Sequence, residues 1–137
     1  SDLSKDTRVR HTPDRLGFIA ALNLCVYAAR ANGLGIIDGV QLDLEDADLL
    51  ALSCEQGRDL GFDGKSLIHP KQIAAANAAY APDEQEIAAA RNIIAAFEQA
   101  QSEGKGVVVV NGRLVENLHV EEAKRQLALA DAIAQIA

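Results

Sequence analysis

The chain of 137 residues carries 13 Lys and Arg against 20 Asp and Glu, a net charge of -7, and 49% hydrophobic residues. That length and apolar content suit one ordinary domain with a real core, and they exclude a disordered chain, which joins high charge to few apolar residues. The acidic balance argues against non-specific binding to nucleic acid or to anionic membranes, and 4% aromatic content without Trp argues against a stacking platform for single strands.

Ser1 to Thr12 reads as a loop of mixed charge. Thr12-Pro13-Asp14 has the form of a helix start: Thr as the cap, Pro at the first helical position, an acid in the first turn. The helix is predicted to reach about Asn32 and to stop at Gly33. Leu16, Phe18, Ile19, Leu22, Leu24, Cys25, Val26 and Ala29 leave it apolar nearly all round, so it needs cover on several sides. Its apolar run is interrupted by Asn23 and is too short to span a bilayer, and the opening residues contain no signal-peptide core. Cys25 and Cys54 lie far apart without a CxxC pair, which fits neither a disulfide framework nor a thiol zinc site. A reducing cytoplasm is the default expectation.

Gly35 to Gly39 is a short apolar run between glycines, predicted as a buried strand. Asp43, Glu45, Asp46 and Asp48 lead into a helix through Leu49, Leu50, Leu52, Cys54 and Leu60, closed by Gly61. These acids lack the spacing, the Gly and the closing Glu of a calcium loop, so they read as a solvated helix start. Gly64 to Pro70 is a second short strand, and strand, helix, strand at this spacing is a βα unit with a parallel neighbour. Two short strands do not make a stable sheet by themselves, which points to a larger one. Ile73 to Tyr80 is helical, and Pro82-Asp83-Glu84 restarts a helix to about Ser102, with Ile87, Ala90, Ile94, Phe97 and Gln101 on one stripe. Val107 to Val110, Asn111-Gly112 and Arg113 to Val115 form an Asn-Gly hairpin of type I′. A last helix follows, with Val120, Ala123, Leu127, Ala130 and Ile133 on one face.

Chemistry concentrates in Gly61 to Ile73, GFDGKSLIHPKQI. Parallel α/β architectures bind ligands at the carboxyl ends of strands, and His69 lies at such an end. The plainer alternative is that His69-Pro70 only makes the turn and Lys65 is solvated at the strand entrance. The excess of Lys5, Arg8, Arg10 and Arg15 near the start is compatible with facing phosphates or carboxylates, or with a solvated loop.

GFDGKSLIHPKQI, preceded by IIDGVQLDLED and CEQGRDLG, resembles the citrate lyase β-subunit-like family, also called the HpcH/HpaI aldolase/citrate lyase family. Its members include malyl-CoA, β-methylmalyl-CoA and citramalyl-CoA lyases. The resemblance runs from SDLSKD to the final helix. It implies an α/β fold: residues 1–81 as the C-terminal part of a TIM (β/α)8 barrel, and residues 82–137 as a helical extension with a β-hairpin. A whole barrel takes about 250 residues. The resemblance therefore implies that the earlier strands, with a metal-binding Glu and a substrate-facing Arg, come from an N-terminal half-barrel in the same or a companion polypeptide.

The resemblance also implies site residues. Asp2, in SDLSKD, corresponds to one of two carboxylates that hold Mg²⁺, with a surface acid or helix cap as the alternative; Ser1 stands where relatives often carry Glu. Ile68, His69 and Pro70 match the segment that contacts CoA through backbone and packing. Asp38, at the end of the preceding strand, either lines the same mouth or receives backbone amides of the turn after Gly39. In NGRLVENLH, Glu116 falls where acyl-CoA lyases carry an Asp that acts as acid/base in a neighbouring subunit's site, and Leu118 stands where Pro is common. Capping of the last helix by Glu116 with Asn117 is the alternative.

The implied function is Mg²⁺-dependent carbon–carbon cleavage of a 3-hydroxyacyl thioester, such as malyl-CoA or citramalyl-CoA, into acetyl-CoA and a 2-oxo acid. The substrate is carried on CoA or on an acyl-carrier protein, and the assembly is a homo-oligomer, a trimer or hexamer, with the extension on a neighbour. Two alternatives stand beside it: a non-catalytic half-barrel assembly subunit, and an acyl-CoA thioesterase on the same scaffold. A class II aldolase without CoA chemistry suits the hairpin and arm less well.

Overall fold

The computed structural model describes residues 2–104 and 108–136. Among them the chain is helix-rich α/β with two small two-stranded sheets, and it divides into two compact units, residues 1–80 and 81–137.

The first unit opens with a helix where a loop is expected: α1, Asp2–Thr7. Asp2 in its first turn and Lys5 in its last complement the helix dipole, and the Ser4 hydroxyl donates to the Val9 carbonyl at 2.7 Å. The predicted helix start at Thr12 is instead a turn, closed by the Arg15 N–H on the Thr12 carbonyl at 3.0 Å. Arg15 is left-handed, with φ 49°, and this break delays the helix. A 3-10 turn, Leu16–Phe18, leads into α2, Ile19–Ala31. The helix ends as predicted: Gly33 has φ 65°, and Leu34 N–H reaches back to the Ala29 carbonyl at 2.9 Å, a Schellman closure. Val26 and Ala29 are its buried side, whereas Leu24 and Tyr27 are exposed.

Strand β1, Ile37–Asp38, pairs in parallel with β2, Gly64–Lys65, in the register Ile37 to Gly64 and Asp38 to Lys65. The expected strand to Pro70 pairs only this far. Ser66 N–H still donates to the Asp38 carbonyl at 2.9 Å, but β1 ends at Asp38 and offers no further ladder. Helix α3, Ala47–Asp59, joins the strands. Its acidic approach is a cap: Asp46 accepts the Leu49 N–H, and Asp43 accepts those of Glu45 and Asp46. After a 3-10 turn at Pro70–Gln72, α4 runs over Ile73–Tyr80. Leu50, Cys54 and Ala76 are the core between α3 and α4, with Leu67, Ala75, Ala79 and Tyr80 packed on it. On this unit's surface Ile37 is 56% and Leu42 76% exposed.

In the second unit, α5, Glu84–Ser102, starts on a full capping box between Asp83 and Glu86. Ala90 and Ala100 are its buried residues, so the stripe ends on Ala100 and not on the expected Gln101, which is exposed. Strands β3, Val108–Val110, and β4, Arg113–Val115, pair antiparallel. Asn111 and Gly112 both have positive φ, 50° and 77°, as a type I′ turn requires. Val107, the expected first residue of that hairpin, lies outside the described residues. Helix α6, Asn117–Ile136, packs on α5 and buries Val120 and Ala123, on the predicted face.

Candidate functional site at the ends of the parallel strands

The last residues of the two parallel strands are both charged, and the side chains of both are buried. Both carboxylate oxygens of Asp38 accept from Arg15 Nη1 at 2.8 Å, and Oδ2 also meets Lys65 Nζ at 3.1 Å. Oδ1 further accepts the Gly39 N–H at 2.8 Å. The Lys65 ammonium completes its three donor positions on the Gly39 carbonyl and the Ser53 hydroxyl, each at 2.8 Å. Burying an isolated charge is prohibitive, and this full set of partners is what allows both side chains to be 1% exposed. Burial by itself raises the Asp38 carboxyl, but the bonds from Arg15 and the charge and bond of Lys65 outweigh it and hold the group below the ordinary carboxylate value.

The surroundings explain how the cluster fits. A Cβ on Gly57 of α3 would collide with the Tyr80 hydroxyl and lie 2.9 Å from Asp38 Oδ2. Glycine there lets the carboxylate and Tyr80 approach the helix. Burial pushes up the Tyr80 hydroxyl, and the Asp38 charge adds to it. The Cys54 thiol is also raised by burial, against the pull of Lys65, so it is a packed hydrophobe and not a ready nucleophile. Arg15 Nε bonds Gln56, whose amide in turn reaches the Asp14 carbonyl.

Beyond the strands, the two outgoing loops are tied together by Gln72, a polar residue only 2% exposed. Its Oε1 accepts the Ile68 N–H at 3.1 Å and its Nε2 donates to the Gln41 carbonyl at 3.0 Å. On the outside, Lys71 Nζ bridges to Glu45 at 2.8 Å. His69 caps the 3-10 turn: its Nδ1 accepts the Lys71 N–H at 3.2 Å, so the neutral ring carries its hydrogen on Nε2.

These contacts locate the expected residues. Ile68, His69 and Pro70 stand together on the exposed loop after β2. Asp38 is adjacent in the chain to the facing loop, but its carboxylate turns toward α3. Of the two readings of Asp38, the contacts match the one in which the carboxylate receives the Gly39 amide, here together with Arg15 and Lys65. Lys65 is likewise neither solvated nor open to a ligand. Asp2 is exposed on α1, and among the described residues no group of three or more His, Cys, Asp or Glu side chains gathers to hold a metal ion. Glu116, in the second unit, closes the start of α6 through its backbone: its carbonyl accepts the His119 N–H at 3.0 Å, and its own N–H donates to His119 Nδ1 at 3.0 Å. The Glu116 carboxylate takes no part in that cap. Arg15 and Ser53 were not legible as partners of the pair, nor Gln72 as the tie between the loops, although Asp and Lys at paired strand ends form a charge pair once the register is known.

A model of the HpcH/HpaI aldolase/citrate lyase family matches residues 1–70, just over half of the chain. The chain belongs to this family. Within it, the chain is 53% identical over 134 residues to a (3S)-malyl-CoA thioesterase of Cereibacter sphaeroides (strain ATCC 17029), covering 98% of this chain and 47% of the relative. It is 40% identical over 131 residues to a citrate lyase subunit beta of Leuconostoc mesenteroides subsp. cremoris, covering 96% and 43% respectively. Among solved structures it is similar to the protein CitE of Mycobacterium tuberculosis in complex with magnesium, acetoacetate and coenzyme A, with a TM-score of 0.64, 31% identity, and 77% and 38% of the two chains covered. The chain thus spans about half, or less, of the length of the family members it matches. Among the described residues no helix is long and apolar enough to cross a membrane.

Proposed function

We propose that this chain is the C-terminal part of an enzyme that acts on the CoA thioester of a small hydroxy acid of the malyl class, and that it hydrolyses the thioester. The observation that carries this reading is the 53% identity along 98% of the chain to a (3S)-malyl-CoA thioesterase. In this reading the first 81 residues are the last strands of a (β/α)8 barrel, whose remaining strands cover exposed side chains such as Ile37 and Leu42. Residues 82–137 are the extension that acts on a neighbouring copy in a homo-oligomer in the cytoplasm.

The chain's own residues then have distinct tasks. Ile68, His69 and Pro70 seat the thioester arm, with the His69 Nε2–H as a donor at the carboxyl ends of the strands. Glu116 of an adjacent subunit takes the proton of the attacking water and returns one to the leaving thiolate as the carbon–sulfur bond breaks. Asp38, Arg15 and Lys65 hold the strand ends in place. Asp2 fits as a single carboxylate ligand for Mg²⁺, which commonly takes one or two protein carboxylates; the other ligands come from outside these residues. When bound, the ion supplies Lewis-acid polarisation of the substrate's oxygens.

A second reading, carbon–carbon cleavage of the same substrate class to acetyl-CoA and a 2-oxo acid, is favoured by the 40% identity to a citrate lyase subunit beta. Here Glu116 delivers its proton to the carbanion of the acetyl thioester. The test is the full-length natural polypeptide with malyl-CoA, with Mg²⁺ and with EDTA, following free thiol, malate, acetyl-CoA and 2-oxo acid. Free CoA with malate supports hydrolysis. Acetyl-CoA with a 2-oxo acid replaces it by the lyase reading, and turnover to neither pair overturns both.

A further inference from the structure

The loops that leave β1 and β2 are held together by Gln72, and this contact differs in kind from the charge cluster beneath it. An amide side chain 2% exposed is expensive to bury unless both its ends are satisfied. Both are, and each by a backbone group of a different loop: the Ile68 N–H on one side and the Gln41 carbonyl on the other. Gln72 therefore does for these segments what a ladder bond does for strands, just beyond the point where the ladder ends at Asp38 and Lys65. The next residue along, His69, is fixed from the same turn, since the Gln72 N–H donates to the His69 carbonyl at 3.0 Å.

We infer that Gln72 is the positioning residue of the CoA-binding segment, an inference that rests on the proposed thioester chemistry. It does not touch the ligand. It holds Ile68 and His69 against the loop that follows β1, so that the two loops form one wall and the ligand does not have to order them on binding. Loop ordering is a direct charge against affinity, whereas the bond-breaking step lies elsewhere. Loss of Gln72 thus weakens CoA binding and raises KM while kcat stays within about twofold.

Coenzyme A itself is the probe, titrated by calorimetry into the full-length polypeptide and into Gln72→Met, which keeps the volume and removes both bonds. The dissociation constant of a folded Gln72→Met is expected to rise about tenfold, with an unchanged far-ultraviolet spectrum. Gln72→Asn keeps an amide donor and acceptor without adding charge, but on a side chain one methylene too short to span both loops, and it binds between the two. Should the Met variant fail to fold, the Asn variant decides: binding equal to wild type overturns the inference. Wild-type binding by a folded Gln72→Met, or an equal fall in kcat with KM unchanged, overturns the inference alone. A wild-type protein that does not bind CoA overturns the thioester reading, and this inference with it.

Discussion

Lys65 and Asp38 occupy paired register positions on the two parallel strands and meet there as a buried ion pair, Nζ to Oδ2 at 3.1 Å with both side chains 1% exposed. Each is used up by its partners, and together with Arg15 they fasten the last rungs of the strands to α3 through Ser53 and to the turn at Gly39.

Removing one member leaves the other charge short of a partner inside the protein. Lys65→Met is expected to lower stability by about 3 kcal/mol, somewhat eased because Arg15 still reaches Asp38. Urea unfolding read by circular dichroism measures it. A loss under about 0.5 kcal/mol, the range of a surface change, would contradict the structural role given to the pair.

The Asp38 carboxyl lies below its ordinary value in the folded protein, because Arg15 and Lys65 outweigh its burial. Its contribution to stability is therefore fully present above the unfolded carboxylate value of about 3.9 and is lost as pH falls through the depressed folded value. Urea midpoints followed downward from pH 6 are expected to fall below about pH 4. In Asp38→Asn, which starts less stable, that acid-side slope should be shallower. Parallel slopes for the two proteins would count against Asp38 as a source of the acid sensitivity.

Gly57 offers a test with an unusual sign. Glycine inside a helix ordinarily gives up about 1 kcal/mol relative to alanine. Here the added methyl would run into the Tyr80 hydroxyl and Asp38 Oδ2. Gly57→Ala is expected to destabilise by about 2 kcal/mol through overpacking, seen as a lower thermal midpoint. Stabilisation would mean that Tyr80 moves aside freely.

At Glu116 a catalytic role can be tested apart from folding. Its backbone and the His119 ring close the start of α6, and its carboxylate is not part of that cap. Under the proposed function Glu116→Gln is expected to reduce kcat on malyl-CoA by about 100-fold or more, with an unchanged melting temperature. Activity within a few-fold of wild type would remove Glu116 from proton transfer.

Several features were legible because they rest on short-range physics. The Gly33 stop, the Asp83 capping box and the Asn111-Gly112 turn each depend on a handful of neighbouring residues. The parallel pairing of Ile37–Asp38 with Gly64–Lys65 follows from the spacing of strand, helix and strand. Short-range signals also misled. Thr12-Pro13-Asp14 has every mark of a helix cap, yet Arg15 adopts φ 49° there, and from that break its guanidinium reaches Asp38. A contact 23 residues away accompanies the departure from local preference.

The sequence by itself determined the helix stops, the hairpin, the parallel pairing of the two strands and the family to which the chain belongs, because caps, turns and motifs are written in adjacent residues. Only the tertiary structure decided that the side chains of Asp38 and Lys65 are buried and spent on each other, and that Gln72 ties its turn to Gln41, 31 residues away. The reason is physical. Lys, Asp and Gln are surface residues by habit, and only the three-dimensional arrangement of their partners makes it affordable to bury them.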